Sequence, residues 1–535
     1  MNRVFRVIFN RSLGVQQVAS ELARGHGSSS SSDQRQGRAR LLLLFPLTAW
    51  ASLSLAADLP SGGIVVRGQA SISQSGSHMQ VNQATKNAVL NWNNFSIGKG
   101  GSVHFENANG ATLNRVTGNL PSSIDGRLSA TGSLYLVNRN GVIIGSEGVI
   151  NAAGFMATTL DVRDDEFMAG GGLHFFGDSR AGIVNLGSIQ ANSGNVSLVA
   201  HSVRNDGTIR AQQGATELLA GQEVFLASPD APALLVSLGE GGSSSEDAVT
   251  NTGLIEAAQA RLQAANGNLY GLAINQSGVI HATGVSNKDG RIVLTADGGT
   301  VRQDGVLTAQ NSNGSGGEIL VGGDYQGKNA AVANATRTEV TANARMDASA
   351  TASKGDAGRV IVWADEDTTF AGRIAARGGD KGGDGGFVEV SGKRTLDFRP
   401  DAPIDLSAKN GKTGTVLLDP DEMTVVDSVT GANQIAAATV EAGLASASYI
   451  INTSNFDPAS GSGNINVNSD IAWSNANTLT LKSGNAINID ANITASNGAL
   501  EMYAGRYAEA PLESGLSDVN GGAWLTAGHT LQVNR

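Results

Sequence analysis

Residues Leu134–Gly154 read "LYLVNRNGVIIGSEGVINAAG": apolar residues in alternation, interrupted every few positions by Gly or Asn. Four glycines in this span argue against a helix, since each costs about 1 kcal/mol relative to Ala. A single hairpin breaks once, whereas this stretch breaks repeatedly. Alternation puts one set of side chains on one face of a short strand.

The pattern runs the length of the chain. Gly-x-[Ile/Leu]-x-Ala begins at Gly126, Gly148, Gly187, Gly207, Gly253, Gly278, Gly305 and Gly372, with a degraded copy at Ala344. The first seven starts are separated by 22, 39, 20, 46, 25 and 27 residues, so the larger gaps are near twice the smaller ones. A second strand type, Gly-x-apolar-x-apolar, begins at Gly132, Gly194, Gly290, Gly317, Gly358 and Gly386. A period in the low to mid twenties marks a solenoid. The arrangement that pairs every backbone group is all-β: a right-handed parallel β-helix with short Gly/Asn turns, each strand bonded to its equivalent one coil up. Over residues 60–420 roughly 18 to 20 coils are expected, which at about 4.8 Å apart give a rod on the order of 90 Å. Asn185, Asn205 and Asn251 each precede a repeat Gly by two residues. They are expected at the corners as turn formers, stacked as a ladder.

Composition agrees. Gly contributes 70 of 535 residues and charged residues 16%, so many tight turns join weakly charged strands. The net charge of −11 argues against a nucleic-acid partner, which requires a basic face. The absence of Cys excludes disulfides, Cys-ligated zinc and thiol catalysis. No cofactor is expected. The Gly378–Phe387 segment lacks the order of a calcium-binding nonapeptide and is read as a turn.

"RARLLLLFPLTAWASLSLAAD" (Arg38–Asp58) has a basic flank, an apolar run and then small residues. This is a secretory signal, with cleavage expected after Ala56 or Ala57. Forty residues precede the apolar run. That leader, with Asn2, Phe5 to Asn10, Ser12-Leu13-Gly14 and Ser20 to Ala23, resembles the extended signal-peptide region of very large proteins secreted across the Gram-negative outer membrane.

From Leu59 to Val162 the chain resembles the two-partner secretion domain of filamentous haemagglutinins and high-molecular-weight adhesins. "NWNNFSIGKGGSVHF" (Asn91–Phe105) and "NRVTGNLPSSIDGRLSATGSLYLVNRNGVIIG" (Asn114–Gly145) carry the resemblance. Asn138, Arg139, Asn140 and Gly141 stand where many members of the family have Asn-Pro-Asn-Gly, which makes them the candidate secretion motif. Arg139 in place of Pro removes stiffness but not the turn. The resemblance implies export through a cognate outer-membrane β-barrel transporter and a secreted or cell-surface product. It also implies an adhesin, partnered by receptors or glycans on host or neighbouring cells.

The domains expected are an extended signal peptide at 1–57 (extended region about 1–25, apolar run about 41–57), then a secretion domain with an N-terminal cap at 58–250. Shaft repeats at 251–420 follow, and then looser β repeats at 421–535. One short helix is expected near 433–445, with Asn433 as its N-cap.

Two rivals remain in view. Some relatives of this secretion class are haemolysins or cytolysins, and parallel β-helices include polysaccharide-active enzymes. Such an enzyme needs paired carboxylates at set separation. The acidic runs are Asp164-Asp165-Glu166, Asp365-Glu366-Asp367 and Asp419 with Asp421-Glu422. Each is local and is read as a solvated loop. The seven His are scattered, with no HExxH spacing. The chain is therefore read as a non-enzyme.

Overall fold

The computed structural model describes residues 58–226, 245–454 and 463–505, together with short strands at 5–10, 15–20, 234–236, 523–525 and 531–533. It divides into Met1–Leu55 and Ala56–Arg535. In the first unit, Phe5–Asn10 pairs antiparallel with Val15–Ser20 as a hairpin. The expected cleavage residues Ala56 and Ala57, and the apolar run before them, lie outside the described residues.

The second unit is a parallel β-helix, and the reason is legible in its columns. The apolar third residue of each Gly-x-[Ile/Leu]-x-Ala repeat stacks on its equivalent one coil away, from Leu128 through Ile150, Ile189 and Ile209 to Ile255 and Ile280. All six are at most 1% exposed. Each such burial contributes about 1.5–3 kcal/mol. The second strand type stacks in the same way, with Leu134 on Phe155 and Val196 farther along. The paired rungs continue to Thr478–Ser483 and Ala499–Ala504.

A third column closes each coil. It includes Val142–Ile144, Gly182–Asn185, Ser202–Asn205, Val249–Asn251, Ile274–Gln276 and Thr300–Gln303. The amide ladder sits here. Asn185 donates to Asn205, Asn205 to Asn251 (both 2.7 Å) and Asn251 to Gln276 (2.8 Å), with all four side chains fully buried. A buried amide needs partners, and the neighbouring coils supply them. Beyond Gln303 the same column turns apolar, through Val340, Phe370 and Phe398.

Second-type strands from Asn87–Trp92 to Gly414–Leu418 number twelve, fewer than the 18 to 20 coils expected. Three stretches leave the solenoid instead of adding coils. Two of them, which include residues 161–176 and the strands at 223–226 and 234–236, build a four-stranded antiparallel sheet. The third is a loop that includes Gly322–Ala335. Helix α1 (Asp164–Ala169) belongs to the first insertion.

The N-terminal edge is covered. Ile64–Arg67 lies antiparallel on Asn87–Trp92, and the hairpin of Ala70–Ser75 with His78–Gln83 leads into the first parallel pairing, with Ser102–Glu106. Trp92, Phe95 and Phe105 fill the space beneath, all at most 1% exposed. Covering an edge strand removes a template for aberrant pairing.

The late helix departs from expectation. Helix α2 spans Ala437–Leu444, and its N-cap is Ala436, which makes no side-chain cap bond. Asn433 instead adopts a left-handed backbone (φ 55°) and uses its side chain to accept from the Leu396 N–H at 2.7 Å. It docks the chain onto the previous coil, and a short strand, Gln434–Ala436, intervenes before the helix.

Candidate functional site

The Asn138–Gly141 corner is a hydrogen-bonded turn, with the Gly141 N–H donating to the Asn138 carbonyl at 3.0 Å. Gly141 sits at φ 107°, where a side chain would be strained. Asn138 is fully buried. Its amide donates to the Leu120 carbonyl and the Ser122 hydroxyl, both at 3.0 Å, and its oxygen accepts from the Asn140 N–H at 2.9 Å. The Asn140 side chain reaches the Gly118 carbonyl at 2.9 Å. Both asparagines thus clamp the turn to the coil before it. Arg139 points the other way: its side chain is 73% exposed and its guanidinium lies 3.6 Å from Asp178. Of the four motif residues, Arg139 is the one that offers a long side chain to solvent.

Above this region the antiparallel sheet covers the outer face of the second strand column. Leu113, Tyr135 and Met156 pack there against Phe167 of α1 and Phe175. Arg115 ties the cover down. It donates to Asp161 (2.8 Å), Asp164 (2.7 Å) and the Val162 carbonyl (2.7 Å). The Asp164–Glu166 run therefore forms the first turn of α1, where acidic residues oppose the helix dipole favourably. On the outer side of the sheet, His174 meets Glu223 at 2.5 Å and stacks on Phe225 at 4.1 Å.

Of the remaining acidic runs, Asp365–Asp367 is a solvated bend as expected, with Asp365 exposed, whereas the run at Asp419 and Asp421 is buried. Asp365 accepts from the Trp363 indole and the Asn334 amide, both at 3.0 Å, and Asp367 pairs with Arg337 at 3.1 Å. Asp419 and Asp421 are only 3% and 4% exposed. The loop carrying Tyr325 and Gln326 covers this region. The Gln326 amide donates to Asp419 at 2.9 Å, and its backbone N–H donates to Glu389 at 3.1 Å. Glu389 is fully buried, and burial pushes its carboxyl up to about 8, with nearby Asp419 adding to the rise. Sequence reasoning missed Glu389. In "GFVEVSG" it occupies an outward strand position, and nothing local signals that a loop from some sixty residues earlier covers it. Among the described residues, no group of three or more His, Asp or Glu is placed to hold a metal ion.

The described part of the second unit is thus a capped parallel solenoid with an antiparallel flap on one outer face. The model of the TPS secretion domain matches residues 56–309, and that of the extended signal peptide of type V secretion systems matches residues 1–50. A heme/hemopexin-binding protein of Haemophilus influenzae is 34% identical over 267 residues, covering 48% of this chain and 29% of that protein. A tRNA nuclease CdiA-2 of Burkholderia pseudomallei is 25% identical over 242 residues, covering 37% of this chain and 8% of that protein. The crystal structure of the HMW1 secretion domain from Haemophilus influenzae superposes with a TM-score of 0.51 at 28% identity, covering 66% of this chain and 99% of that one. The chain thus spans less than a third of the length of either curated relative. It belongs to the two-partner secretion exoproteins, and it is exported across the outer membrane to be secreted or displayed at the cell surface. A TPS domain implies a cognate outer-membrane β-barrel transporter.

Proposed function

We propose that the exported chain works as a surface adhesin, presenting outward side chains and loops to receptors or glycans on host or neighbouring cells. The observation that carries this reading is how the inward positions are used. They are filled by apolar columns and a self-paired amide ladder, so contact with a ligand falls to the outer faces and loops. The cap and the Asn138–Gly141 corner are then what the transporter recognises, with Arg139 the exposed element of the motif. The test is to incubate the purified mature chain with epithelial cells, erythrocytes and a polysaccharide panel. Saturable cell binding without lysis and without new reducing ends is expected. Lysis of erythrocytes would replace the adhesin by a haemolysin, and polysaccharide turnover would replace it by an enzyme.

The similarity to a heme/hemopexin-binding protein favours a second reading, in which the ligand captured is heme or hemopexin. Retention of the chain on immobilised hemopexin, but not on glycans or cells, would select it.

A further inference from the structure

The shaft carries a groove that the preceding sections leave unused. It crosses the coils at the turn between the first and second strand types and encloses about 990 Å³. One wall is a single register column: Gln259, Arg291, Glu318, Arg359, Phe387 and Thr415, each one coil beyond the last. All six are half-buried. The floor is bare backbone. Gly317, Gly358, Gly386 and Gly414 stack, and a Cβ on any of them would sit 1.8–2.3 Å from the carbonyl oxygen of the glycine one coil below. Sterics therefore keep the floor free of side chains. Lys288, Asp384 and Lys412 stand among the turns of the opposite wall.

We propose that this groove binds an extended, neutral, hydroxyl-rich glycan; the proposal rests on the binding-protein reading above. Three observations converge on that chemistry. The wall offers an amide, two guanidinium groups, a carboxylate and a hydroxyl, which together donate and accept as sugar hydroxyls require. Phe387 adds an aromatic face, supported edge-on by Tyr325 at 5.8 Å between ring centroids. An apolar face with a few placed polar groups is the usual make-up of a small-molecule site. The spacing fits as well. Coils repeat every ~4.8 Å, close to the advance of one pyranose along an extended chain, so successive sugars meet successive coils.

Charge selects a neutral ligand. Glu318 pairs with both Arg291 and Arg359, and Arg359 also reaches Asp324 at 3.1 Å. The guanidinium charges are thereby spent inside the wall. Four cations (Lys288, Arg291, Arg359, Lys412) face three anions (Asp289, Glu318, Asp384) along the groove. A chain of net charge −11 repels a polyanion at long range.

The test is calorimetric titration of the purified mature chain with β-linked gluco- and galacto-oligosaccharides of increasing length, and with heparin and polygalacturonate. Neutral oligosaccharides should bind, more tightly with each added sugar until the groove is spanned, and with little dependence on salt. Thr415→Trp, which fills the groove from an outward position, and Phe387→Ala should each weaken binding at least tenfold. Lys393→Glu, at an exposed position outside the groove, should leave neutral-glycan affinity within twofold. Thermal melts of all three variants keep folding and binding apart. Preference for the polyanions, or unchanged neutral binding in folded Thr415→Trp, would overturn the proposal. Cell adhesion is measured in parallel. Adhesion by an intact chain that binds no neutral glycan sinks the groove and spares the adhesin, whereas glycan binding without adhesion spares the groove and sinks the adhesin.

Discussion

The outer face of the second strand column is covered twice, and the two covers are built differently. Over the N-terminal coils, an antiparallel sheet and α1 enclose fifteen buried apolar residues, whereas the shaft loop encloses four. The strands beneath follow the same alternation. In the first case the outward residues Val89, Leu113, Tyr135 and Met156 are all suited to burial. In the second, the column runs Val293, Leu320, Ile361 and then Glu389. The loop there is held over a carboxyl through Gln326, a residue in left-handed conformation (φ 53°). The interior of the first cover is apolar and holds no carboxyl proton. The shaft loop closes over one.

The largest effect that would break this comparison comes from the flap. Phe175 is fully buried at its centre, so Phe175→Ala should cost about 3–5 kcal/mol. Urea unfolding of the mature chain checks this, and a loss below about 1 kcal/mol would mean that the flap is not part of the cooperative unit.

The shaft cover should respond to pH. The Glu389 carboxyl is raised to about 8 from an ordinary 4.5, so the folded chain holds its proton more firmly than the unfolded one. Its contribution is full below about pH 4.5 and is lost as pH rises toward about 8. Glu389→Gln should therefore flatten the fall in stability between pH 5 and 8 and stabilise the shaft at pH 8, on the order of 2 kcal/mol. Hydrogen exchange across residues 322–335 at both pH values reads the effect locally. Identical profiles in wild type and variant would show that the loop does not depend on this proton.

Smaller again is the amide ladder. Asn205→Ala leaves the amides of Asn185 and Asn251 without their partner and should cost about 1–3 kcal/mol by denaturant titration. The smallest effect lies at the corner. Arg139 occupies the second position of a hydrogen-bonded turn, so Arg139→Pro should stabilise by about 0.4–1 kcal/mol through a stiffer unfolded chain. A destabilised variant would mean that the backbone at this position does not suit Pro.

The contrast between the covers also marks what the sequence could disclose. The first two strand columns were legible because Ile, Leu and Val alternate with polar residues and a Gly marks each start. The third was nearly silent: "TVRQ" at Thr300–Gln303 turns an amide inward, and a search for apolar alternation passes over it. Only the Asn-x-Gly spacing at Asn185, Asn205 and Asn251 gave it away. Glu389 was missed, and Asp419 and Asp421 were misjudged, for a related reason. Alternation says which face a residue lies on but not whether a distant insertion covers that face. Asn433 looked like a helix cap because cap residues also serve turns, and here its side chain bonds the previous coil instead. At the Asn138–Gly141 corner the sequence placed the turn. It did not disclose that both asparagines are consumed by clamping it, which leaves Arg139 as the exposed member.

We propose that the capped N-terminal coils direct export. The most direct test is the location of a chain lacking Leu59–Val162, expressed with its transporter and quantified in periplasm and medium. The deleted chain should be retained in the periplasm while the intact chain reaches the medium. Its arrival in the medium at the level of the intact chain would contradict the account.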